Sequence, residues 1–397
     1  MVDSNFEFLD FENTEKAFSY KTDKELKRTK MLFTMMNSNL LVNVGSSLTN
    51  LALKLRIPLV KTLIKATIFK QFVGGENLEA AIPVIKLLSQ NDVNTILDYG
   101  AEAKSSEEEL DRVVEENIDS IRFASTQASV PIVVSKITAL ADNDLLTNMQ
   151  SDKALTSDEE VQKTKLINRL DKICKSAYDQ GVSIMIDAEE SWLQDSIDDL
   201  CYNMMEQFNK RKVVVFNTYQ LYRHDKLEDL KSAYEIAKER KYILGAKLVR
   251  GAYMDKENNY AMDNGLKSVI QSSKDNTDID YNKALQFCIS HYKSIGSVCA
   301  SHNSKSNYLQ AHLIEKMAID KRHPHLNFCQ LYGMSDNLTF NLASAGYNVA
   351  KYLPYGSVHD VIPYLIRRAM ENTAVTQDVS RELKFVKKEM RRRNLSS

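Results

Sequence analysis

From residue 93 onward, short apolar runs rich in β-branched and aromatic residues alternate with longer stretches whose apolar positions recur at helical spacing. Eight such runs are present: Thr95–Tyr99, Pro131–Lys136, Ser183–Asp187, Val213–Tyr219, Leu244–Arg250, Ser297–His302, Leu326–Leu331 and Val349–Leu353. Most are followed by charged, amphipathic sequence, such as Ser106–Ala124, Asp225–Lys241 and Ser304–Met317. Strand and helix in alternation predict a parallel sheet with helical crossovers. Eight repeats over about 280 residues are the count and size of a closed (β/α)8 barrel, whereas an open doubly wound sheet would more often carry roughly five to seven strands and a glycine-rich first turn.

Ahead of the barrel the pattern is different. Between Leu40 and Phe72 the apolar residues Leu48, Leu51, Leu55, Leu59 and Leu63 recur at helical spacing, broken by Gly45 and Pro58, which predicts short amphipathic helices. The expected organisation is an N-terminal helical arm over residues 1–75, a barrel over 76–372 and a basic tail over 373–397. The tail is dense in Lys and Arg from Arg381 to Ser397 and reads as a helix or a frayed end.

Overall charge adds one exclusion. With 52 Lys and Arg against 53 Asp and Glu the formal charge is −1, so there is no general field for nucleic acid. Locally the balance is uneven: Leu26–Gly75 holds no acid but eight bases, Lys27, Arg28, Lys30, Lys54, Arg56, Lys61, Lys65 and Lys70. Such an arm either packs on the barrel or touches an anionic membrane surface. The five cysteines, Cys174, Cys201, Cys288, Cys299 and Cys329, are odd in number and widely spaced, which indicates neither a disulfide framework nor a zinc site. No apolar run approaches the roughly 20 residues of a spanning helix, and Met1–Glu15 is neither signal-like nor Arg-rich. The expected location is cytoplasmic, peripheral on the inner face of the membrane. The glycine fingerprints of dinucleotide and phosphate loops do not occur.

In a (β/α)8 barrel the chemistry sits at the C-terminal ends of the strands. The polar residues there are Asp98 and Tyr99, Lys136, Asp187 with Glu189 and Glu190, and Asn217, Tyr219 and Gln220 on the first four runs. Lys247, Arg250 and Tyr253 end the fifth, Ser301, His302 and Asn303 the sixth, Gln330 the seventh and Tyr352 the eighth. A buried Lys136 requires a carboxylate, and Asp187 is the nearest candidate by strand order; the pair is either structural or substrate-orienting. His302 has no second histidine at ligand spacing, so no metal is expected. Tyr364 lies three and four residues before Arg367 and Arg368, on one helix face. Adjacent arginines there suit bidentate capture of a small carboxylate or form a surface basic pair.

These residues belong to ordered motifs: Met185–Glu190, Phe216–Gln220, Gly245–Tyr253, Ala300–Asn303, Gln330–Met334, and Tyr352–Gly356 followed by Tyr364, Arg367, Arg368, Glu371 and Asn372. With Gln71–Glu76 ahead of the barrel, they resemble the successive motifs of the proline dehydrogenase family from about Phe69 to Asn372. The resemblance implies a (β/α)8 barrel whose last helix lies over the strand ends. It also implies non-covalent FAD and oxidation of L-proline to Δ1-pyrroline-5-carboxylate by hydride transfer to the flavin. By motif position Lys136, Asp187, Tyr253, Leu331, Tyr352, Tyr364, Arg367 and Arg368 would line the substrate pocket. Ala188, Asn217, Lys247, Arg250, Gly251, Ala252, Ser301, His302 and Glu371 would lie along the flavin, with Asp187 and Lys247 nearest the chemistry. Asn217 stands where the bacterial pattern of the family has Gln and Lys247 where it has Arg, a subfamily mark shared with eukaryotic-type members.

The resemblance further implies a membrane quinone as electron acceptor and a separate pyrroline-5-carboxylate dehydrogenase downstream. Two alternatives stand beside it: a hydroxyproline dehydrogenase of the same family, and a flavin-linked proline sensor. A bulky Tyr352 against the substrate ring favours proline over its hydroxylated analogue, because a ring hydroxyl needs space.

Overall fold

The structure, a computed structural model, describes residues 9–36, 64–100, 106–151, 153–374 and 378–395. Eight parallel strands close into a barrel in chain order: β1 (Asn94–Tyr99), β2 (Ile132–Ser135), β3 (Ser183–Ile186), β4 (Val215–Gln220), β5 (Leu244–Val249), β6 (Ile295–Ala300), β7 (Leu326–Leu331) and β8 (Val349–Tyr355). All eight expected runs fall on strands. The ends differ in an informative way. β2 stops at Ser135, β3 at Ile186 and β6 at Ala300, so Lys136, Asp187 and Ser301 are the first residues beyond their strands.

The part formed by residues 96–329 follows the β/α rhythm. Its helices are α4 (Glu107–Ser125), α5 (Asn143–Met149), α6 (Ser157–Gln180), α7 (Ser191–Phe208), α8 (Lys226–Glu239), α9 (Met254–Asp263), α10 (Lys274–Ser290) and α11 (Ser304–Lys316). Local sequence sets their limits. Ser106 accepts from Glu109 N to cap α4, whose first turn holds Glu107, Glu108 and Glu109 against the helix dipole. Thr156 and Glu159 form a capping box on α6, which ends at Gly181 in the left-handed region (φ 75°). α7 is capped from elsewhere: Glu257 of α9 accepts from Ser191 N at 2.7 Å and from Ser191 Oγ at 2.6 Å.

The second part joins the two ends of the chain, residues up to 95 and from 330. It contains α1 (Thr14–Ala17), α2 (Asp23–Met36), a π-helical turn Lys65–Phe69 running into Lys70–Phe72, and α3 (Leu78–Ser89). From the C-terminal side come α12 (Asp336–Ser344), β8, α13 (Val358–Ala374) and α14 (Asp378–Arg392). Phe18, Leu26 and Phe33 from the N-terminal end share one core with Phe72, Val361, Leu365, Val386 and Met390. Full burial of such side chains contributes about 1.5–3 kcal/mol each. The basic tail is a helix, and its basic end is tied down: Arg393 donates at 2.8 Å to the carbonyls of Phe18 and Lys21. The helices expected between Leu40 and residue 63 lie outside the described residues. Among the described residues no helix is long and apolar enough to cross a membrane.

Candidate active site

At the C-terminal ends of β1, β2, β3 and β5, four charges alternate in sign. Lys136 Nζ lies 2.8 Å from Asp98 Oδ1 and 3.5 Å from Asp187 Oδ2, and Lys247 Nζ lies 2.6 Å from Asp187 Oδ1. The expected Lys136–Asp187 pair is therefore corrected in its emphasis. Asp98 on the adjacent strand is the nearer partner, and Asp187 bridges two lysines. Burial alone would lower the Lys136 pKa, but Asp98 and Asp187 drive it well above the ordinary lysine range, so it is a fixed cation. Removing one member of such a row strands a buried charge, at a cost of about 3–5 kcal/mol.

Next to the row stands a carboxyl group that sequence reasoning named only as a strand-end residue. Glu189 accepts from Tyr253 Oη at 2.8 Å and from Thr138 Oγ1 at 2.9 Å. Its backbone is equally engaged: its N donates to Gln194 Oε1 and its carbonyl accepts from Gln220 Nε2, both at 2.7 Å. Burial pushes the Glu189 pKa up to about 7, against the opposing pull of the Tyr253 and Thr138 hydrogen bonds and the Lys136 charge. Tyr253, expected as a wall of the substrate pocket, is thus oriented through its hydroxyl. Lys256 Nζ lies 2.6 Å from Glu190.

Side chains alternate along β4, where Asn217 was expected beside the flavin. Asn217 is fully buried and donates to Asp198 Oδ1 of α7 at 2.7 Å, while Tyr219 Oη meets Tyr202 Oη of the same helix at 3.2 Å. The opposite parity carries Thr218, which donates to Ile186 O at 2.6 Å, and Gln220. Asn217 therefore points at the helix layer, where Asp198 also holds Lys226 at 2.9 Å. Gln220 is the β4 amide on the strand-end side.

Arg250 is held at every nitrogen. Its Nε lies 2.6 Å from Asp278 Oδ1, its Nη1 donates to Ser301 Oγ at 2.7 Å and its Nη2 to Ser306 Oγ at 3.0 Å, with the guanidinium 4.3 Å over the Tyr281 ring. Gly251 follows at φ 135°, and a Cβ there would come within 2.4 Å of the Tyr222 ring, so both conformation and space demand glycine. Gly251 and Ala252 are exposed, Ala188 and Ser301 are buried, and His302 is half-buried.

In the part formed by the chain ends, Leu331 closes β7 and Tyr352 is buried in β8, its carbonyl accepting from Tyr332 N at 2.9 Å. On α13, Val361 and Leu365 face the core, whereas Tyr364, Arg367 and Arg368 are half-buried. Arg368 sits 5.6 Å over the Tyr364 ring, so the pair of arginines is not a freely solvated surface patch. Glu371 is on the same helix, and its side chain lies outside the described ones.

A (β/α)8 barrel with its ionisable groups gathered at the strand ends is an enzyme scaffold. The sequence model of the proline dehydrogenase family matches residues 81–381, and the chain belongs to that family of oxidoreductases, which supports proline oxidation. It is 33% identical to proline dehydrogenase 1, mitochondrial, of Dictyostelium discoideum, over 96% of this chain and 74% of that protein. It is 29% identical to the hydroxyproline dehydrogenase of Xenopus laevis, over 95% and 89% respectively. The fold resembles proline utilization A from Bdellovibrio bacteriovorus inactivated by N-propargylglycine, with a TM-score of 0.72 at 24% identity. That match covers 90% of this chain and 38% of the larger protein.

Proposed function

We propose that the protein oxidises L-proline to Δ1-pyrroline-5-carboxylate with FAD as cofactor, passing electrons to a membrane quinone and product to a separate pyrroline-5-carboxylate dehydrogenase. The observation that carries this reading is the row Asp98–Lys136–Asp187–Lys247 at the strand ends of a barrel whose sequence belongs to the family. The donor set suits an anionic cofactor. Lys247 and Arg250 supply two cations, Arg250 donates to Ser301 Oγ, and the backbone of Gly251–Ala252 that follows it is exposed and poor in side chains. FAD, when bound, supplies the two-electron acceptor that no amino-acid side chain here provides.

The residues divide the remaining work. Arg367 and Arg368 take the substrate carboxylate, Lys136 adds a third cation, and Leu331, Tyr352, Tyr364 and Tyr253 shape the ring pocket. Asp187 fixes Lys247, and Lys247 with Arg250, Ala188, Gln220 and His302 faces the cofactor; Glu371 is proposed to lie along it as well. Gln220 replaces Asn217 in this assignment because of its parity on β4. Tyr352 favours proline over 4-hydroxyproline. The test is incubation with L-proline and an artificial electron acceptor, with detection of the cyclic imine by mass spectrometry. Imine formed without added nicotinamide cofactor is expected, and a wild type that prefers hydroxyproline makes the protein a hydroxyproline dehydrogenase.

We extend the reading to a peripheral contact with the inner face of the cytoplasmic membrane. Lys24, Lys27, Met31 and Met35 are exposed at helical spacing on α2, with Met31 at 54% and Met35 at 49%. Co-sedimentation with anionic vesicles should fall as salt rises; no binding at low salt refutes the contact.

A further inference from the structure

The turn between β7 and α12, residues 331–335, carries two residues in the left-handed region, Gly333 (φ 82°) and the non-glycine Ser335 (φ 50°). A Cβ at Gly333 would fall 2.1 Å from Gln71 O. Such a turn persists only when its surroundings dictate it. Here five backbone groups are held from outside. Lys351 of β8, 1% exposed, donates to the carbonyls of Leu331 and Met334. Gln71 Nε2 donates to Gly333 O at 2.8 Å, and Tyr332 N donates to Tyr352 O at 2.9 Å. Glu382 of α14 accepts from Ser335 N at 3.0 Å.

Behind the turn lies a buried charge cluster. Lys351 Nζ is 2.9 Å from Asp336 Oδ1, and Tyr20 Oη donates to Asp336 Oδ2 at 2.6 Å with its ring stacked 4.5 Å from Phe340. Lys21 Nζ stands 3.8 Å from the same carboxylate. Tyr20 and Lys21 precede the helix α2, and Glu382 belongs to the C-terminal helix. Both chain ends therefore close on one turn.

We propose that Tyr20, Asp336 and Lys351 are positioning residues for substrate binding. They fix the turn that bears Leu331 and the backbone of Tyr352, so the two ends of the chain help shape the substrate wall. This rests on the assignment of Leu331 and Tyr352 to the substrate. The mechanism is indirect: Tyr20 holds Asp336, Asp336 holds Lys351, and Lys351 holds the carbonyls on either side of the turn. A hydrogen bond to a buried charge is among the stronger kinds, and small misplacements of a binding wall weaken productive binding.

The test is Tyr20→Phe, which removes one hydroxyl and keeps the stacked ring. We expect KM for L-proline to rise by about five- to tenfold with kcat within about twofold and flavin content unchanged. Amide exchange should quicken about tenfold in peptides covering 331–335 and stay unchanged in 244–253. Lys351→Arg, which keeps the cation, should stay near wild type where Lys351→Met does not. A lower Tm with unchanged KM and unchanged exchange at 331–335 makes the cluster structural only and overturns the proposal. A wild type that does not oxidise L-proline overturns the functional reading instead, and the exchange rates alone then decide whether the chain ends fix the turn.

Discussion

The two parts of the molecule hold their buried charges in different ways. In residues 96–329 the row Asp98–Lys136–Asp187–Lys247 is assembled from strand ends that the β/α repeat brings side by side. In the part made of the chain ends, Asp336 takes Tyr20 from 316 positions away. Topology alone places the first set, whereas the second requires the termini to return and dock. The first should survive changes at the termini. The second should be sensitive to them, since loop closure over so long a span must be repaid by specific contacts.

The largest expected effect breaks the first set. Asp187→Asn leaves Lys136 and Lys247 facing each other with one carboxylate fewer, and a fall in kcat/KM for L-proline equivalent to about 3–5 kcal/mol is expected from steady-state kinetics. A loss below about tenfold would make the row ornamental to turnover. In the second part, Arg367→Met or Arg368→Met should reduce kcat/KM by about 2–5 kcal/mol while flavin absorbance is retained. Near-normal kinetics in both single variants would move the carboxylate anchor elsewhere.

Acidity sharpens the comparison, because among the described residues each part holds a carboxyl group raised to about 7: Glu189 in the first and Glu382 in the second, each raised chiefly by burial. A carboxyl whose folded pKa lies above its unfolded value stabilises the fold in its protonated form. Its contribution is complete below the ordinary carboxylate range, near 4.5, and is lost as pH rises through about 7. Tm measured from pH 5 to pH 8 should therefore fall in the wild type, and Glu189→Gln and Glu382→Gln should each flatten the slope. Identical slopes in wild type and both variants would contradict the assignment.

How much of this was legible in the sequence follows the same division. The eight strand runs and the strand-end motifs could be read because one repeat predicts the next. The face of Asn217 could not: Val213–Tyr219 is apolar on both parities, as a strand covered on both sides must be, so alternation carried no signal. Glu189 was visible as a residue type, but its partner Tyr253 lies 64 positions away and no local pattern joins them. Tyr20 carried no signal at all. The basic tail read as a helix or a frayed end, and its apolar positions Leu383, Val386 and Met390, spaced for one helix face, were the missed sign that it packs.

The smallest expected effect concerns selectivity. Tyr352→Ser should shift the ratio of kcat/KM values toward trans-4-hydroxy-L-proline, mainly through lost proline activity, by about 1–3 kcal/mol. An unchanged ratio would mean that Tyr352 does not meet the substrate ring.

The central claim, that a family barrel with this strand-end row oxidises L-proline through a bound flavin, is tested most directly by the visible absorption spectrum of the purified protein under anaerobic conditions. The account predicts a yellow protein whose absorbance is bleached by L-proline without added nicotinamide cofactor. A protein that stays colourless and inactive after reconstitution with FAD, or whose flavin bands are unmoved by L-proline, would contradict it.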